Sequence, residues 1–281
     1  WQQWPNLRLK QLDTFLKRCD PHKRALILKN QCEKSFNPHA MLNTTSYWRL
    51  FADARHEILF CALPKTGASS WKSFLMKIAS DTTSDVGPPH STANLRKHGV
   101  KVIQNYVLAK EVTYYKVLQV RHPFTRLISA YKDKIYGKQF GHMRDCLFGN
   151  RNKTSTLPAQ ATWIQFADYV ARGSPDCINR HWLPYDQLCP ICQMEFDAVT
   201  KLETISEDVE FVMDVKNISR VYRIDQLNAK SGTVNKTTED YLKELPEELF
   251  SKLKKMFQND MNLLGYDIDE HQRKPTCTQC C

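Results

Sequence analysis

An α/β fold, an open and mostly parallel sheet flanked by helices, is what this sequence predicts, and three observations carry that expectation. The apolar run Ile58–Leu63 is closed by Pro64, which cannot donate to a ladder, and Trp71, Phe74, Leu75 and Ile78 then recur at helical spacing. Tyr114–Val120 repeats the pattern, closed by Arg121-His122-Pro123 and followed by Phe124, Leu127, Ile128 and Tyr131. Each strand end carries a basic residue, Lys65 or Arg121. Open α/β sheets bind ligands at the carboxyl ends of their strands.

Taken in order, Leu7, Leu9, Leu12, Phe15 and Leu16 predict a short amphipathic helix ending near Cys19. Tyr47–Phe51 and Glu57–Leu63 read as neighbouring strands around Asp53-Ala54-Arg55. After the first helix, Ser80–Leu95 reads as a long polar loop containing Gly87-Pro88-Pro89 and His90, and loops of that length are usually functional or disordered. Val100–Leu108 is expected to be a helix returning the chain to the sheet. Gly137–Leu157 reads as loop and Ala159–Arg172 as helix, with Trp163, Phe166, Ala167 and Val170 on one side. Asp176–Phe196 is dense in aromatics, prolines and cysteines, a composition for a pinned irregular segment able to carry functional groups. Helices are expected over Glu207–Val215, Glu239–Leu245 and Pro246–Leu264, the last with Pro at its start and Glu247 and Glu248 in its first turn. No repeat or composition shift divides the chain, so residues 1–281 are expected to form one domain with 1–46 as an N-terminal extension.

The 281 residues, 42% of them hydrophobic, suffice for a sizeable core, and no run approaches the roughly 20 apolar residues of a membrane span. Ten cysteines and four sequons, at Asn43, Asn152, Asn217 and Asn235, point to an oxidising lumen, disulfides and glycosylated surface loops. Cys189-x-x-Cys192 and Cys277-x-x-Cys280 also have zinc-ligand spacing, but the halves lie far apart and no compact finger surrounds them, so no metal is expected. No thioredoxin-like pattern frames Cys189-Pro190-Ile191-Cys192. The formal charge of +10 implies affinity for anions. The basic residues are scattered and form no nucleic-acid motif, so a polyanionic glycan is expected over nucleic acid.

The strand, the loop Lys65-Thr66-Gly67-Ala68-Ser69-Ser70 and the helix start at Trp71 make a place for an anion. First-turn amides, the helix dipole and a lysine all favour a phosphate there. A P-loop has its lysine after the final glycine. Here Lys65 precedes Gly67, and no magnesium-carboxylate motif accompanies it, which counts against an ATPase or kinase.

Leu63-Pro64-Lys65-Thr66-Gly67-Ala68-Ser69-Ser70-Trp71 resembles the 5′-phosphosulfate loop of Golgi carbohydrate sulfotransferases, and Val120–Lys134 resembles their 3′-phosphate segment. His181-Trp182-x-Pro184 with Cys189-x-x-Cys192, Phe196-Asp197 and Lys201-Leu202-Glu203-Thr204 is similar to a block of the branch holding chondroitin and dermatan 4-O-, GalNAc-4-O- and HNK-1 sulfotransferases. His90–Leu95 resembles a run of the chondroitin enzymes. The chain departs from those members at Thr66, Ala68, Ser70 and His122, where they usually carry valine, cysteine, asparagine and an acidic residue.

The resemblance implies a P-loop-kinase-like sulfotransferase fold, a Golgi lumenal domain tethered by an N-terminal signal anchor outside this sequence, and 3′-phosphoadenosine 5′-phosphosulfate as donor. The product would be adenosine 3′,5′-bisphosphate, and no metal is required. It implies that Lys65 meets the 5′-phosphate and bridging oxygen, that Thr66, Gly67, Ala68, Ser69, Ser70 and Trp71 cradle the 5′-phosphate, and that Arg121 and Ser129 hold the 3′-phosphate. A general base must take the acceptor's proton, and histidine is the default. His90 is the first candidate and His181 the second, with His122 read as structural. The implied acceptor is the 4-hydroxyl of GalNAc in chondroitin or dermatan. Terminal GalNAc, a glucuronyl 3-hydroxyl, or a non-enzymatic glycosaminoglycan-binding module are the alternatives.

Overall fold

The computed structural model describes residues 20–35, 50–104, 112–136, 146–148, 160–173, 179–225, 227 and 236–267. Its sheet contains β1 (Leu50–Asp53), β2 (Ile58–Cys61), β3 (Val100–Ile103), β4 (Tyr115–Val120) and β5 (Ala198–Lys201), in the order β3-β1-β2-β4-β5. The pairs β2–β4 and β4–β5 are parallel, whereas β1 runs antiparallel to both β2 and β3. The sheet is therefore mixed, a correction to the mostly parallel sheet expected. The cause is local: Asp53 pairs with Ile58 across a connection of four residues, far shorter than a parallel crossover needs. The buried Asp53 carboxylate accepts from the Arg55 amide at 2.9 Å and lies 2.6 Å from His56 Nδ1, while Glu57 takes a φ of 54° to close the turn.

Helices cover both faces: α1 (Pro21–Ser35), α2 (Ala68–Ala79), α3 (Thr92–Lys97), α4 (Pro123–Ala130), α5 (Trp163–Arg172), α6 (Ile205–Val215), α7 (Thr238–Lys243) and α8 (Glu247–Leu264). A π-helical turn, Tyr131–Ile135, prolongs α4. Two expectations fail here. Val100–Ile103 is an edge strand and not the start of a helix, because Val100 and Val102 alternate with Lys101 and pair with β1. The loop beginning at Ser80 ends in α3, whose N-cap Ser91 accepts from the Asn94 amide at 3.2 Å.

The period of two along β2 divides the core. Ile58 and Phe60 face Trp71 and Phe74 of α2 and Val209 and Val212 of α6. Leu59 and Cys61 face the layer holding Phe124 and Leu127 of α4, Phe166 of α5 and Leu253 and Phe257 of α8. α1 is tied to this frame by Arg24, whose guanidinium donates to both Asp208 oxygens at 2.7 and 2.6 Å. Asp208 also accepts from the Lys201 amide and the Thr204 hydroxyl, so one buried carboxylate joins α1, β5 and α6.

Cys32 is bonded to Cys192 and Cys61 to Cys189. The two CxxC sulfurs thus staple the 179–197 segment to α1 and to β2. The sequon Asn217 is exposed, at φ 51°, just after α6. The helix predicted near residues 7–19, the other three sequons and Cys277, Cys280 and Cys281 lie outside the described residues.

Candidate active site

The first loop is shaped by two left-handed residues, Lys65 at φ 67° and Gly67 at φ 87°. At Gly67 the left-handed backbone disfavours any side chain, and a Cβ there would also press on the tip of Leu202, 2.9 Å from its Cδ1. The Thr66 side chain is fully buried and its hydroxyl donates to the Leu63 carbonyl at 2.9 Å, pinning the turn. Gly67 caps α2 without a side-chain acceptor, leaving the first-turn amides of Ala68, Ser69 and Ser70 without a capping side chain. A lysine in a left-handed backbone beside an uncapped helix start is the strained arrangement found at binding sites.

The second loop lies against the first. Arg121 Nη1 donates to the Lys65 carbonyl at 3.3 Å and Nε to Thr125 Oγ1 at 3.0 Å. Its backbone is clasped at both ends by Tyr185, which accepts from the Arg121 amide at 3.0 Å and donates to its carbonyl at 2.6 Å. Burial lowers the Arg121 pKa, and Glu203 works against that shift. Ser129 stands one helical turn beyond Thr125 on the same face of α4, half-buried.

Lys65 Nζ lies 3.1 Å from Asp133 Oδ2, and Lys134 Nζ lies 3.2 Å from the same oxygen. Burial lowers the Lys65 pKa and Asp133 opposes it. Burial would raise Asp133, but Lys65 and Lys134 together bring it below the usual carboxylate value.

Three histidines have distinct settings. His90 Nε2 is 3.1 Å from Ser69 Oγ, and Nδ1 is 3.2 Å from Lys72 Nζ. An ammonium can only donate, so Nδ1 carries the lone pair and Nε2 the proton. His181 is oriented the other way: its Nδ1–H donates to Asn179 Oδ1 at 2.6 Å, which puts the lone pair on Nε2. Burial, then Lys134, Arg180 and Lys65, lower the His181 pKa to about 3, with Asp133 opposing. Burial, Lys72, Arg180 and Lys134 lower His90, again against Asp133. Both rings therefore sit in the field of one basic basin. His122 is the N-cap of α4, accepting from the Phe124 amide at 3.3 Å while Nε2 donates to the Asp267 carbonyl at 2.8 Å, a structural post as expected.

Two basic strand ends in contact thus make a basin suited to anions. A family model described as the sulfotransferase family matches residues 48–267. The chain belongs to the sulfotransferase family. Carbohydrate sulfotransferase 12 of Xenopus laevis is 27% identical over 252 residues, covering 77% of this chain and 60% of the relative. Carbohydrate sulfotransferase 10 of Mus musculus is 26% identical over 269 residues, with 87% and 75% covered, and carbohydrate sulfotransferase 14 of Danio rerio 22% over 284, with 90% and 72%. The chain thus spans well under the full length of these relatives. No solved structure matches it.

The sulfotransferase match spans every candidate catalytic and donor-binding residue named from the sequence, and the structure sorts them. Lys65, Gly67, Ala68, Ser69 and Arg121 belong to the two loops that meet at the basin, while Ser129 is half-buried on α4 beyond them. Trp71 does not offer its ring: the indole is fully buried, stacked 5.0 Å from Phe60, with Nε1 donating to Gln119 at 2.7 Å. Thr66 and Ser70 likewise spend their hydroxyls inward, Ser70 accepting from the Leu227 amide at 3.0 Å. A cavity of about 250 Å³ between Val209, Met213, Arg220 and Tyr222 shares no residue with either loop.

Two residues of this candidate site were given no role in the sequence reading. Arg126 is buried and donates to the carbonyls of Pro64, Leu183 and Arg180 at 3.0, 2.7 and 3.2 Å, its guanidinium 4.6 Å from the Tyr185 ring. It joins the first loop to the segment bearing His181. Tyr185 clasps Arg121 from that same segment. A charged residue beside the apolar stripe of α4 was the one signal for Arg126, and for Tyr185 there was only the aromatic density around it.

Proposed function

We infer that the protein transfers a sulfuryl group from 3′-phosphoadenosine 5′-phosphosulfate to a hydroxyl of a carbohydrate. The contact of the Arg121 guanidinium with the Lys65 carbonyl, at 3.3 Å, carries this reading. It brings a cation for the 3′-phosphate and an uncapped helix start for the 5′-phosphate to the ends of adjacent parallel strands, β2 and β4. Family membership and the carbohydrate sulfotransferases among its relatives support the same donor and acceptor class.

Bound there, the donor supplies a sulfuryl group on a phosphosulfate anhydride. As the acceptor oxygen bonds to sulfur, the bond from sulfur to the bridging oxygen breaks, the electron pair stays on the 5′-phosphate and the acceptor proton goes to a histidine. The Lys65 ammonium stabilises the charge that grows on the leaving oxygen, and the amides of Ala68, Ser69 and Ser70 hold the phosphate. Arg121 and Ser129 hold the 3′-phosphate. His181 is the better placed base: its Nδ1–H is anchored on Asn179 and its Nε2 lone pair remains for the proton, whereas Lys72 faces the lone pair of His90. His90 then positions Ser69 at the first loop.

For the acceptor, the resemblance of the His181–Thr204 block supports the 4-hydroxyl of GalNAc in chondroitin or dermatan. The disulfides Cys32–Cys192 and Cys61–Cys189 support a lumenal setting. Among the described residues no helix is long and apolar enough to cross a membrane. The test is calorimetric binding of adenosine 3′,5′-bisphosphate together with transfer from labelled donor to a panel of glycans. Wild type should bind the bisphosphate and Arg121→Ala should lose at least tenfold in affinity, with adenosine 5′-phosphate binding far less changed. Equal binding of the bisphosphate by both proteins, or no transfer to any glycan, would refute it.

A further inference from the structure

The reaction as drawn leaves Asp133 without a part, yet its carboxylate stands between two cations of the basin, 3.1 Å from Lys65 Nζ and 3.2 Å from Lys134 Nζ. Thr125, Ser129 and Asp133 follow one another at four-residue intervals along α4 and its π-helical extension. Thr125 touches Arg121 and Asp133 touches Lys65, so this single row addresses the cations of both loops. π-Helical turns inside α-helices are frequent at functional sites.

We propose that Asp133 is a positioning residue for sulfuryl transfer, holding the Lys65 ammonium in aim while the donor is absent and yielding it to the donor on binding. The proposal rests on the role given to Lys65 above. A lysine head on a four-carbon stem is a mobile point charge, and its placement must come from a partner. The backbone of Lys65 is fixed by the left-handed turn, so the partner has only the stem to restrain. Asp133 reaches it from 68 residues away in sequence, across the site and not along the loop. Both side chains are partly withdrawn from water, at 20% and 35% exposure, which gives the pair more weight than an exposed surface contact. Once the donor takes the ammonium, Lys134 remains beside the Asp133 carboxylate, so no uncompensated anion is left facing the incoming phosphates.

Such a pair has two opposed effects. Asp133 competes with the donor for Lys65 and so weakens ground-state binding. It also keeps the ammonium aimed where charge develops, which raises kcat. A residue that merely supported the fold would move both in the same direction. Adenosine 3′,5′-bisphosphate affinity, kcat, donor KM and thermal midpoint should therefore be measured for wild type, Asp133→Asn and Asp133→Glu. Asp133→Asn should bind the bisphosphate about fivefold tighter, ~1 kcal/mol, while kcat falls at least tenfold and the midpoint stays within a few degrees. Asp133→Glu should recover part of the lost rate, remaining about threefold below wild type with affinity kept. Weaker bisphosphate binding by Asp133→Asn, or an unchanged kcat, overturns the proposal. Should that variant fail to fold, Asp133→Glu decides, and a wild-type kcat there overturns it. If wild type binds and transfers normally while Asp133→Asn matches it in both, only the positioning role falls. If wild type neither binds the bisphosphate nor transfers, the donor reading itself has failed.

Discussion

His181 shows how a single side chain is tuned by its company. Burial and the cations Lys134, Arg180 and Lys65 hold its pKa near 3 in the free protein, so the ring is neutral at any working pH. A bound donor brings several negative charges to those same cations and offsets their repulsion, so the His181 pKa rises in the complex. The acid limb of kcat, which reports the complex, should consequently lie at higher pH than that of kcat/KM for the donor. Coincident limbs would remove His181 from the reaction. His181→Ala should lower kcat about 100-fold or more and His90→Ala markedly less. Asp260 is tuned in the opposite sense. Burial and the nearby Asp186 raise it to about 8, against Arg126, while it accepts from the Tyr185 amide at 2.9 Å. The folded protein then holds a proton that the unfolded chain releases near pH 4. Stability from this group is full below about pH 4 and is lost as pH rises toward 8. Asp260→Asn should flatten that decline in urea titrations across this window, and an unchanged slope would contradict the assignment.

At the scale of elements, what holds the site is a few buried joints between distant parts of the chain. Asp208 ties α1, β5 and α6 together through Arg24, Lys201 and Thr204. Removing one partner of a buried pair leaves the other charge uncompensated, so Asp208→Ala should cost about 3–5 kcal/mol of stability by chemical denaturation. A cost under ~1 kcal/mol would show that Arg24 finds water instead. These joints also explain what the sequence could tell. Lys65 and Arg121 were legible because each follows an apolar run closed by proline, a local signal for a strand end. Arg126, Tyr185 and Asp133 were not, since each acts on a backbone or side chain more than 50 residues away and nothing local marks the partner. β3 was misread for a related reason: Val100-Lys101-Val102-Ile103 is too short to declare its period, and its pairing with β1 decides the matter. That β1 and β2 are neighbours was legible from the short Asp53-Ala54-Arg55 turn, but its consequence, an antiparallel pair in a mixed sheet, was set aside for the parallel pattern of an α/β fold.

Among the described residues, the Cys32–Cys192 and Cys61–Cys189 disulfides join parts of the chain separated by 160 and 128 residues, and cross-links that close long loops restrain the unfolded chain most. Reduction should lower stability by about 2–5 kcal/mol per bridge, seen as a lower thermal midpoint in dithiothreitol. The charge of +10 predicts a second property of the intact protein, retention on a polyanion column that weakens steeply with salt. That disulfides form was readable from composition, while the pairing of Cys189 with Cys61 and Cys192 with Cys32 was not, since spacing says nothing about which sulfurs meet.

The Cys61–Cys189 bond has a bearing on when the protein becomes competent. Cys61 lies at the end of the strand that leads into Lys65, and Cys189 belongs to the stretch that presents His181 and the Tyr185 clasp on Arg121. A freshly translated copy with free thiols has no covalent link between the Lys65 loop and the segment that carries His181. On the function proposed above, oxidation of this pair and acquisition of activity would be one event, and a copy kept reduced would stay dormant.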